Sequence, residues 1–152
     1  DGIVPEDRQS LVNLARTLGL ADNIQFTGFL PAPAVQDVVR QAAVCVSPIF
    51  PSPILNAGSP TKLFEYMNLG KAVVANSHPE QTRILAESGA GHCVEWDESA
   101  FAHAIIHLLT HPVEAAEMGA RGKTWVEQHR TYDRIARIVL GKYHALIAPL
   151  NT

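Results

Sequence analysis

Two short runs of apolar residues, without polar alternation, constrain the fold of this chain more than any other feature. They are Val44 to Val46 and Ala72 to Ala75. A strand that is apolar at every position is typical of a parallel sheet whose two faces are both covered by helices. Segments with helical periodicity stand between and after these runs. The sequence therefore predicts an α/β fold, a Rossmann-like parallel sheet with helices on both faces.

The chain has 152 residues, a length that suits one domain with its own core. We therefore expect a single domain over residues 1–152. Strand-like and helical patterns alternate along it. The predicted strands are residues 23–28, 44–47, 72–75 and 92–95, and the predicted helices are residues 10–18, 34–42, 60–69, 80–87, 99–110, 113–128 and 132–147.

Composition argues against nucleic acid and against a membrane span. The net charge is −3, and the 12 Lys and Arg residues are scattered along the chain, so no basic patch is expected to neutralise phosphates. No apolar run reaches the roughly 18 residues of a transmembrane helix, and residues 1–7 lack the pattern of a signal peptide. We predict a cytoplasmic protein in which Cys45 and Cys93, both in apolar runs, are reduced thiols rather than a disulfide.

The loop at residues 48–60 follows a predicted strand at its carboxyl end, where open α/β sheets bind ligands. Ser59 is a good N-cap for the next helix, and Pro60 suits the first helical position. Gly58 allows the backbone to approach a ligand closely. The unpaired N–H groups of the first helical turn favour an anion. The sequence thus predicts a phosphate or diphosphate site at this helix end.

The helix after this loop has two distinct sides. Glu65 should lie about 7 to 8 Å along the axis from the helix start, and its carboxylate can accept both vicinal hydroxyls of a ribose. Lys62 should point elsewhere or fold back to neutralise phosphate. The alternative is that Glu65 is a solvated residue paired with a nearby Lys or Arg. The inner stripe is predicted to hold Pro60, Leu63, Phe64 and Met67, and one flank to hold Thr61, Glu65 and Asn68.

Residues 58–76 contain Ser-Pro-x-Lys-Leu-Phe-Glu-Tyr-Met followed by Gly-Lys-x-Val-Val-Ala. This run resembles the retaining glycosyltransferases of the GT4 family (glycosyl transferases group 1), which have the GT-B fold. Residues 23–28 resemble the strand and turn that precede the nucleotide base, and residues 88–91 resemble the turn into the last strand. The resemblance covers nearly the whole chain. It implies the C-terminal nucleotide-sugar-binding domain of an enzyme that moves a sugar, in a hexosyltransferase-type reaction, from a nucleoside-diphosphate donor to a glycan, lipid or other acceptor.

By the resemblance, Glu65 is the second glutamate of the family's two-glutamate motif and binds the ribose. The first glutamate, which touches the transferred sugar, falls at Ala57, so this chain departs from the family there. Asn56 or the backbone of residues 57–59 would have to replace that contact. Leu30 resembles the residue beside the base. The predicted donor-binding residues are Leu30, Asn56, Ala57, Gly58, Ser59, Pro60, Thr61, Lys62 and Glu65; the catalytic residues stay unidentified.

The resemblance also implies that the family's first two donor-domain strands, which carry an Arg and a Lys for the diphosphate, and its N-terminal acceptor domain are missing. We therefore expect the fragment to be inactive alone and to use a nucleotide sugar as donor with no metal or other cofactor. The resemblance leaves peripheral membrane association of the full enzyme open. Polysaccharide biosynthesis is the pathway that analogy with the family suggests.

Several alternatives stay open. His103, His107 and His111 recur every four residues and could hold a metal, but their apolar neighbours favour an ordinary helix. Glu80 either lines a pocket or simply begins a helix, and His78 is expected to have no pocket role. An epimerase or phosphorylase would need residues that we do not find. A non-catalytic nucleotide-binding or protein-interaction module of the GT-B fold is the stronger rival, because Ala57 replaces the motif glutamate.

Overall fold

The computed structural model describes residues 5–147, and the side chains of residues 7–147. The ends of the predicted domain, residues 1–4 and 148–152, lie outside this part, and the single-domain organisation stays a prediction. The chain groups into two compact units, Asp1–Asp37 and Val38–Thr152. The helices are α1 Pro5–Thr17, α2 Ala32–Gln41, α3 Pro53–Asn56, α4 Thr61–Asn68, α5 Pro79–Ser88, α6 Glu98–Thr110, α7 Pro112–His129 and α8 Tyr132–Ile147, and the strands are β1 Val44–Ser47, β2 Ala72–Asn76 and β3 Gly91–Val94.

The N-terminal unit contains α1 and a short 3₁₀ turn, Ala21–Asn23. Gly19 ends α1 with a φ of 69°, the left-handed conformation that glycine adopts without strain. The predicted strand at residues 23–28 is wrong. Asn23 closes the 3₁₀ turn, and although Ile24 has extended angles, residues 24–28 pair with no strand in the described part of the chain. Alternating hydrophobicity is not sufficient, because a strand exists only when its backbone groups pair with a neighbour.

The C-terminal unit is built on a three-stranded parallel sheet in the order β1-β2-β3. In its register, Val44 pairs with Ala72 and Val73 pairs with Gly91. The predicted strands at residues 44–47, 72–75 and 92–95 are confirmed to within one residue at each end. Parallel strands require crossover connections, and α4 and α5 provide parts of them.

Helices cover both faces of β2, whose five residues are all buried. Val73 and Ala75 belong to a core that α4, α5 and the later half of α7 complete, whereas Ala72 and Val74 face α6 and the start of α7. The α/β prediction with helices on both faces is confirmed. The prediction of burial on both faces is wrong for β1, because Val46 is 41% exposed at the sheet edge.

Helix α7 packs very closely against the turn between α4 and β2. A Cβ atom added at Gly119 would lie 2.0 Å from the carbonyl oxygen of Gly70, which is backbone and not a movable side chain. Glycine is therefore the residue that permits this approach. None of the helices described between residues 5 and 147 combines the length and apolar character needed to cross a membrane.

The two thiols are predicted to react at different rates. Cys45 is buried and Cys93 is exposed, and neither forms a disulfide. Burial raises the pKa of the Cys45 thiol, and the nearby Lys71 charge offsets only part of this shift. Because the thiolate is the reactive species, one thiol should react quickly with Ellman's reagent in the folded protein, and two after denaturation. Equal rates for both thiols before denaturation would contradict this prediction.

Candidate functional site

The loop between β1 and α4 leaves the carboxyl edge of the sheet and contains α3, a one-turn helix that the sequence analysis missed. Ser52 is its N-cap, since the Ser52 hydroxyl accepts a hydrogen bond from the Leu55 N–H at 3.2 Å. Pro53 occupies the first helical position. Ser52-Pro53 is therefore a helix-start pattern of the same kind as Ser59-Pro60, and the sequence contained it.

Helix α4 begins one residue later than predicted. Pro60, with φ −77° and ψ 85°, is its N-cap, and no side chain caps it, so the prediction that Ser59 is the N-cap is wrong. The Pro60 carbonyl accepts the first helical hydrogen bond, from the Leu63 N–H at 3.1 Å. The N–H groups of Thr61 and Lys62 have no acceptor among the described residues. The helix end thus keeps the free donors on which the predicted anion site depends.

The two sides of α4 are arranged as predicted. Leu63 and Met67 are fully buried, Pro60 is buried, and Phe64 packs against the core. The polar flank of Thr61, Glu65 and Asn68 faces one cavity of about 560 Å³. We call it the Glu65 cavity; α4 and Ser59 line one side of it, and Val126, Arg130, Thr131, Tyr132 and Ile135 line the other.

Glu65 is exposed to this cavity. Its carboxylate makes no ion pair and no hydrogen bond with any residue in the described part of the chain. The alternative in which Glu65 pairs with a neighbouring Lys or Arg is therefore not observed. A free carboxylate on the wall of a cavity retains its full capacity to accept hydrogen bonds from hydroxyl groups.

Arg130 is a cavity residue that the sequence analysis missed. Its guanidinium lies over the Phe64 ring at 4.9 Å and pairs with the Glu80 carboxylate at 2.8 Å. Glu80 itself lies in the first turn of α5 and lines neither cavity at the start of α4, as the helix-start alternative expects, and its carboxylate also orients Arg130. Fifty residues separate the two partners, and no local pattern signals a pair so distant in sequence.

A second cavity of about 360 Å³ lies on the other side of the helix end. We call it the Lys62 cavity. It is lined by Lys62, Tyr66 and His78 together with residues 46–49 and 58–61. Ser59 and Thr61 line both cavities. Lys62 therefore faces away from Glu65, as predicted.

A buried polar network holds the loop that forms the Lys62 cavity. The Asn76 side chain accepts from the Ile49 N–H at 2.7 Å and donates to the Ile49 carbonyl at 2.8 Å. Gln81, fully buried, accepts from the Ser47 hydroxyl and donates to the carbonyls of Ser47 and Asn76 at 3.2 Å. Since each of these groups has a partner, the network fixes the loop to the sheet instead of destabilising the core.

His78 is the N-cap of α5 and also touches the loop. Its Nδ1 accepts hydrogen bonds from the N–H groups of Glu80 and Gln81, so Nε2 carries the proton and donates to the Leu55 carbonyl at 3.0 Å. The side chain is buried. His78 therefore lines the Lys62 cavity and links α3 to α5 by hydrogen bonds. The sequence analysis had expected no pocket role for it.

The predicted donor-binding residues fall into three groups. Six of them surround the start of α4, whereas Asn56 and Ala57 are exposed at the end of α3 and are not among the residues that line either cavity. Leu30 is a half-buried residue of the N-terminal unit. The six central residues are Gly58, Ser59, Pro60, Thr61, Lys62 and Glu65.

A third cavity, of about 760 Å³, lies beside β1 and α6. Its walls combine the apolar side chains of Trp96, Phe101 and Ile105 with the acidic Asp97 and Glu98. It contains no predicted site residue and no basic side chain, which makes it unsuited to a phosphate. We therefore take the two cavities at the start of α4 as the candidate site.

Comparison with known proteins connects this geometry to a family. The family model described as "Glycosyl transferases group 1" matches residues 2–111. Among solved structures, sucrose-phosphate synthase from Thermosynechococcus elongatus is similar with a TM-score of 0.78 and 23% identity, over 97% of this chain and 37% of that chain. The chain thus spans little more than a third of that relative and shares its fold, which confirms the predicted GT-B type. A search of curated proteins found no match.

Proposed function

This chain belongs to the group 1 glycosyltransferases, and from this premise we propose that its C-terminal unit binds the nucleoside-diphosphate sugar of a retaining, hexosyltransferase-type reaction. The observation that carries the proposal is the arrangement of two free groups on α4. The uncapped N–H groups of Thr61 and Lys62 stand at the start of the helix, and the unpaired Glu65 carboxylate lines a cavity one turn further on.

The diphosphate is assigned to the helix start. The two free N–H groups and the positive end of the helix dipole attract an anion. Lys62 lies beside them on the wall of the Lys62 cavity and adds a full positive charge. Gly58 has no side chain to block the approach of phosphate oxygens to its backbone. Gly58 to Lys62 therefore form the phosphate-binding part of the proposed donor site.

The ribose is assigned to Glu65. Thr61 is the first residue of α4, so Glu65 lies about 6 Å further along the helix axis, comparable to the separation between a diphosphate and the ribose that bears it. Its carboxylate has no competing partner in the described structure. Both vicinal hydroxyls can donate to it at once. The base would lie beyond the ribose; Leu30 belongs to the N-terminal unit, and its place beside the base stays a prediction from the family resemblance.

The transferred sugar is assigned to the end of α3 and the residues that follow it. The family's first motif glutamate is replaced by Ala57, which has no polar side chain. Asn56 and the backbone of residues 57–59 stand next to this position, and we propose that they take over the sugar contacts. Asn56 is exposed at the end of α3, so its side-chain amide is accessible to a ligand.

The proposed chemistry stabilises the leaving group. As the bond to the sugar breaks, negative charge develops on the diphosphate, and fixed donors at the helix end stabilise it without a metal ion. We propose that the acceptor is bound by a second domain that is not in this chain, and that the chain alone does not catalyse transfer. The full enzyme is proposed to act in the cytoplasm on a glycan, lipid or other acceptor, without nucleic acid as a partner.

Isothermal titration with UDP, GDP and ADP tests the donor site. We expect one of the three to bind, and Glu65→Ala to weaken that binding by about ten- to hundredfold, since hydrogen bonds to a carboxylate contribute about 1.5 to 3 kcal/mol. The matched control is Glu117→Ala, which removes the same charge from an exposed position on α7 outside both cavities. It should leave binding unchanged.

The same titration with the 2′,3′-dideoxy form of the bound nucleotide separates ribose recognition from a general charge effect. Wild type should lose about as much affinity for this analogue as Glu65→Ala loses for the natural nucleotide. Glu65→Ala should lose little more with the analogue, because the two changes remove the same contact. Fully additive losses would show that Glu65 does not bind the ribose.

A non-catalytic nucleotide-binding or protein-interaction module is the second candidate, and Ala57 is the observation that favours it. Turnover of the donor by the full-length protein, measured as release of the nucleoside diphosphate, separates the two functions. Nucleotide binding without any turnover would support the module. Turnover that depends on Glu65 would support the transferase.

A further inference from the structure

We infer that His92, His107 and Glu114 form a binding site for a divalent transition-metal ion of the Zn²⁺ class, distinct from the proposed donor site. One nitrogen or oxygen atom from each side chain lies within 4.8 Å of the other two. The three residues come from β3, α6 and α7, so their proximity is produced by the tertiary fold and not by neighbouring positions in the sequence.

The geometry of the three side chains is close to what a metal needs. His107 Nε2 lies 2.9 Å from a Glu114 carboxylate oxygen, and the His92 and His107 rings meet edge to face at 5.6 Å between centroids. Zn²⁺ binds histidine nitrogen and carboxylate oxygen at about 2.0 to 2.2 Å. In a tetrahedral site two ligand atoms on one ion are then about 3.3 to 3.6 Å apart. Side-chain rotations that close separations of up to 4.8 Å to this value would place all three on a common ion.

His92 gives an independent reason to place a ligand here. Its Nε2 atom is buried and has no hydrogen-bond partner in the described part of the chain. A buried polar nitrogen without a partner is unfavourable and requires an explanation. The His107–Glu114 pair alone leaves this atom unexplained, whereas a metal ion bound by the three residues supplies its missing partner.

The donor set selects the class of ion. Two imidazoles and one carboxylate suit Zn²⁺ and its neighbours in the first transition series, while Mg²⁺ and Ca²⁺ prefer oxygen ligands alone. Three protein ligands leave a fourth tetrahedral position for water. The site is partly open, since the side chains of His107 and Glu114 are 44% and 39% exposed, so an ion can enter from solvent.

The position of the site indicates a structural role. His107 lies in the last turn of α6 and Glu114 in the first turn of α7, so an ion would join the α6–α7 corner to β3. Leu108, beside His107, packs with Ala72 at the amino end of β2, whereas the donor site follows the carboxyl end of β1. The ion is therefore remote from the proposed transfer chemistry, which still requires no metal.

The three histidines spaced along α6 are a competing explanation. His111 stacks on His107 at 4.3 Å between ring centroids, but its Nδ1 lies 2.8 Å from the His107 carbonyl oxygen. His103 is exposed and belongs to no cluster of potential ligands in the described chain. The structure thus assigns His107 to a site with His92 and Glu114 instead of a site along the helix.

Titration of the full 152-residue chain with Zn²⁺, and with Co²⁺ as a spectroscopic probe, tests the inference. We expect one ion per chain and tetrahedral Co²⁺ absorption bands. His107→Gln and Glu114→Gln, whose side chains are 44% and 39% exposed so that folding should be retained, are each expected to weaken Zn²⁺ binding by at least about tenfold, as removal even of indirect metal partners commonly does. His103→Gln, one helical turn away, is the matched control and should bind as wild type does.

The outcomes separate the explanations. A thermal shift with Zn²⁺ in wild type and in His103→Gln, but not in His107→Gln or Glu114→Gln, would support the site. Weakening by His103→Gln equal to that by His107→Gln would assign the ion to the helical histidines and overturn the inference. Zn²⁺ binding unaffected by Glu114→Gln, or absent from wild type, would also overturn it. None of these results depends on nucleotide binding, so the donor-site proposal stands or falls separately.

Discussion

Gln81→Met is expected to lower the free energy of unfolding of the C-terminal unit by about 2 to 6 kcal/mol. Methionine fills a similar volume but makes none of the three hydrogen bonds that Gln81 makes to Ser47 and Asn76. The Asn76 carbonyl keeps its hydrogen bond from the His78 N–H, so the Ser47 hydroxyl and carbonyl are the two groups that lose the Gln81 partner, at about 1 to 3 kcal/mol for each buried polar group. Urea denaturation followed by tryptophan fluorescence measures the effect in this unit, because Trp96 and Trp125 both belong to it.

The same substitution at an exposed glutamine isolates the role of burial. Gln128→Met lies on the surface of α7 and should change the free energy of unfolding by no more than about 0.5 kcal/mol. An equal effect of the two substitutions would mean that the network around Gln81 does not stabilise the sheet edge. If Gln81→Met remains folded, it should also weaken nucleotide binding, because Ser47 and Asn76 hold the loop of the Lys62 cavity.

Gly119→Ala is the second large expected effect. The new methyl group would lie 2.0 Å from the Gly70 carbonyl oxygen, so α7 must move away from the turn before β2. Overpacking of this kind costs about 1 to 3 kcal/mol and occasionally more, and we expect about 3 kcal/mol because the obstructing atoms are backbone. Urea denaturation by tryptophan fluorescence again gives the free energy of unfolding.

Gly141→Ala provides the opposite expectation for the same chemical change. Gly141 lies in α8, and an added Cβ there meets nothing within 4 Å. Alanine is favoured over glycine in an exposed helix by about 0.5 to 1 kcal/mol, so Gly141→Ala should be neutral or stabilising. Destabilisation of similar size by both substitutions would mean that the cost of Gly119→Ala does not come from the contact with Gly70.

The layered fold was predictable because a strand that is buried on both faces is apolar at every position. Every residue of β2 is buried, and the corresponding run is apolar from Ala72 to Ala75. A similar apolar run led to the wrong prediction that β1 is buried on both faces, whereas Val46 is exposed at the edge of the sheet. Apolar residues indicate that a strand can be buried, but which strands are central depends on neighbours that lie far away in sequence.

Pairing also explains the failed strand at residues 23–28. Ile24 has extended angles, so the local conformation was anticipated. The hydrogen bonds that define a strand belong to two segments at once, and the sequence of one segment does not show whether the other is present.

The helix that carries the site was predictable in its faces but not at its start. Periodicity placed Leu63 and Met67 inside and Glu65 on the polar flank, and the structure agrees. The cap of α4 was assigned to Ser59, whereas Pro60 stands at that position and no side chain caps the helix; the serine that does cap a helix in this loop is Ser52, at the start of α3. Two Ser-Pro pairs stand seven residues apart in one loop, and the local sequence does not show which of the two serines is a cap.

Side-chain contacts between residues far apart in the sequence could not be predicted from the sequence. Arg130 with Glu80, Gln81 with Ser47, and His92 near His107 all join different elements. None has a fixed spacing that a local pattern would reveal. These contacts bring together the cavity wall, the loop support and the proposed metal ligands, so much of the site chemistry became visible only in three dimensions.

The position of Ser59 and Thr61 between two cavities restricts the shape of any ligand that fills both. The start of α4 stands between the side that carries Lys62 and the side that carries Glu65, and a molecule that reaches from one to the other must turn around the helix end. A rigid, straight molecule of the same composition would fill only one side. The site should therefore select for flexibility at the centre of the ligand, which the linked, freely rotating bonds of a diphosphate provide.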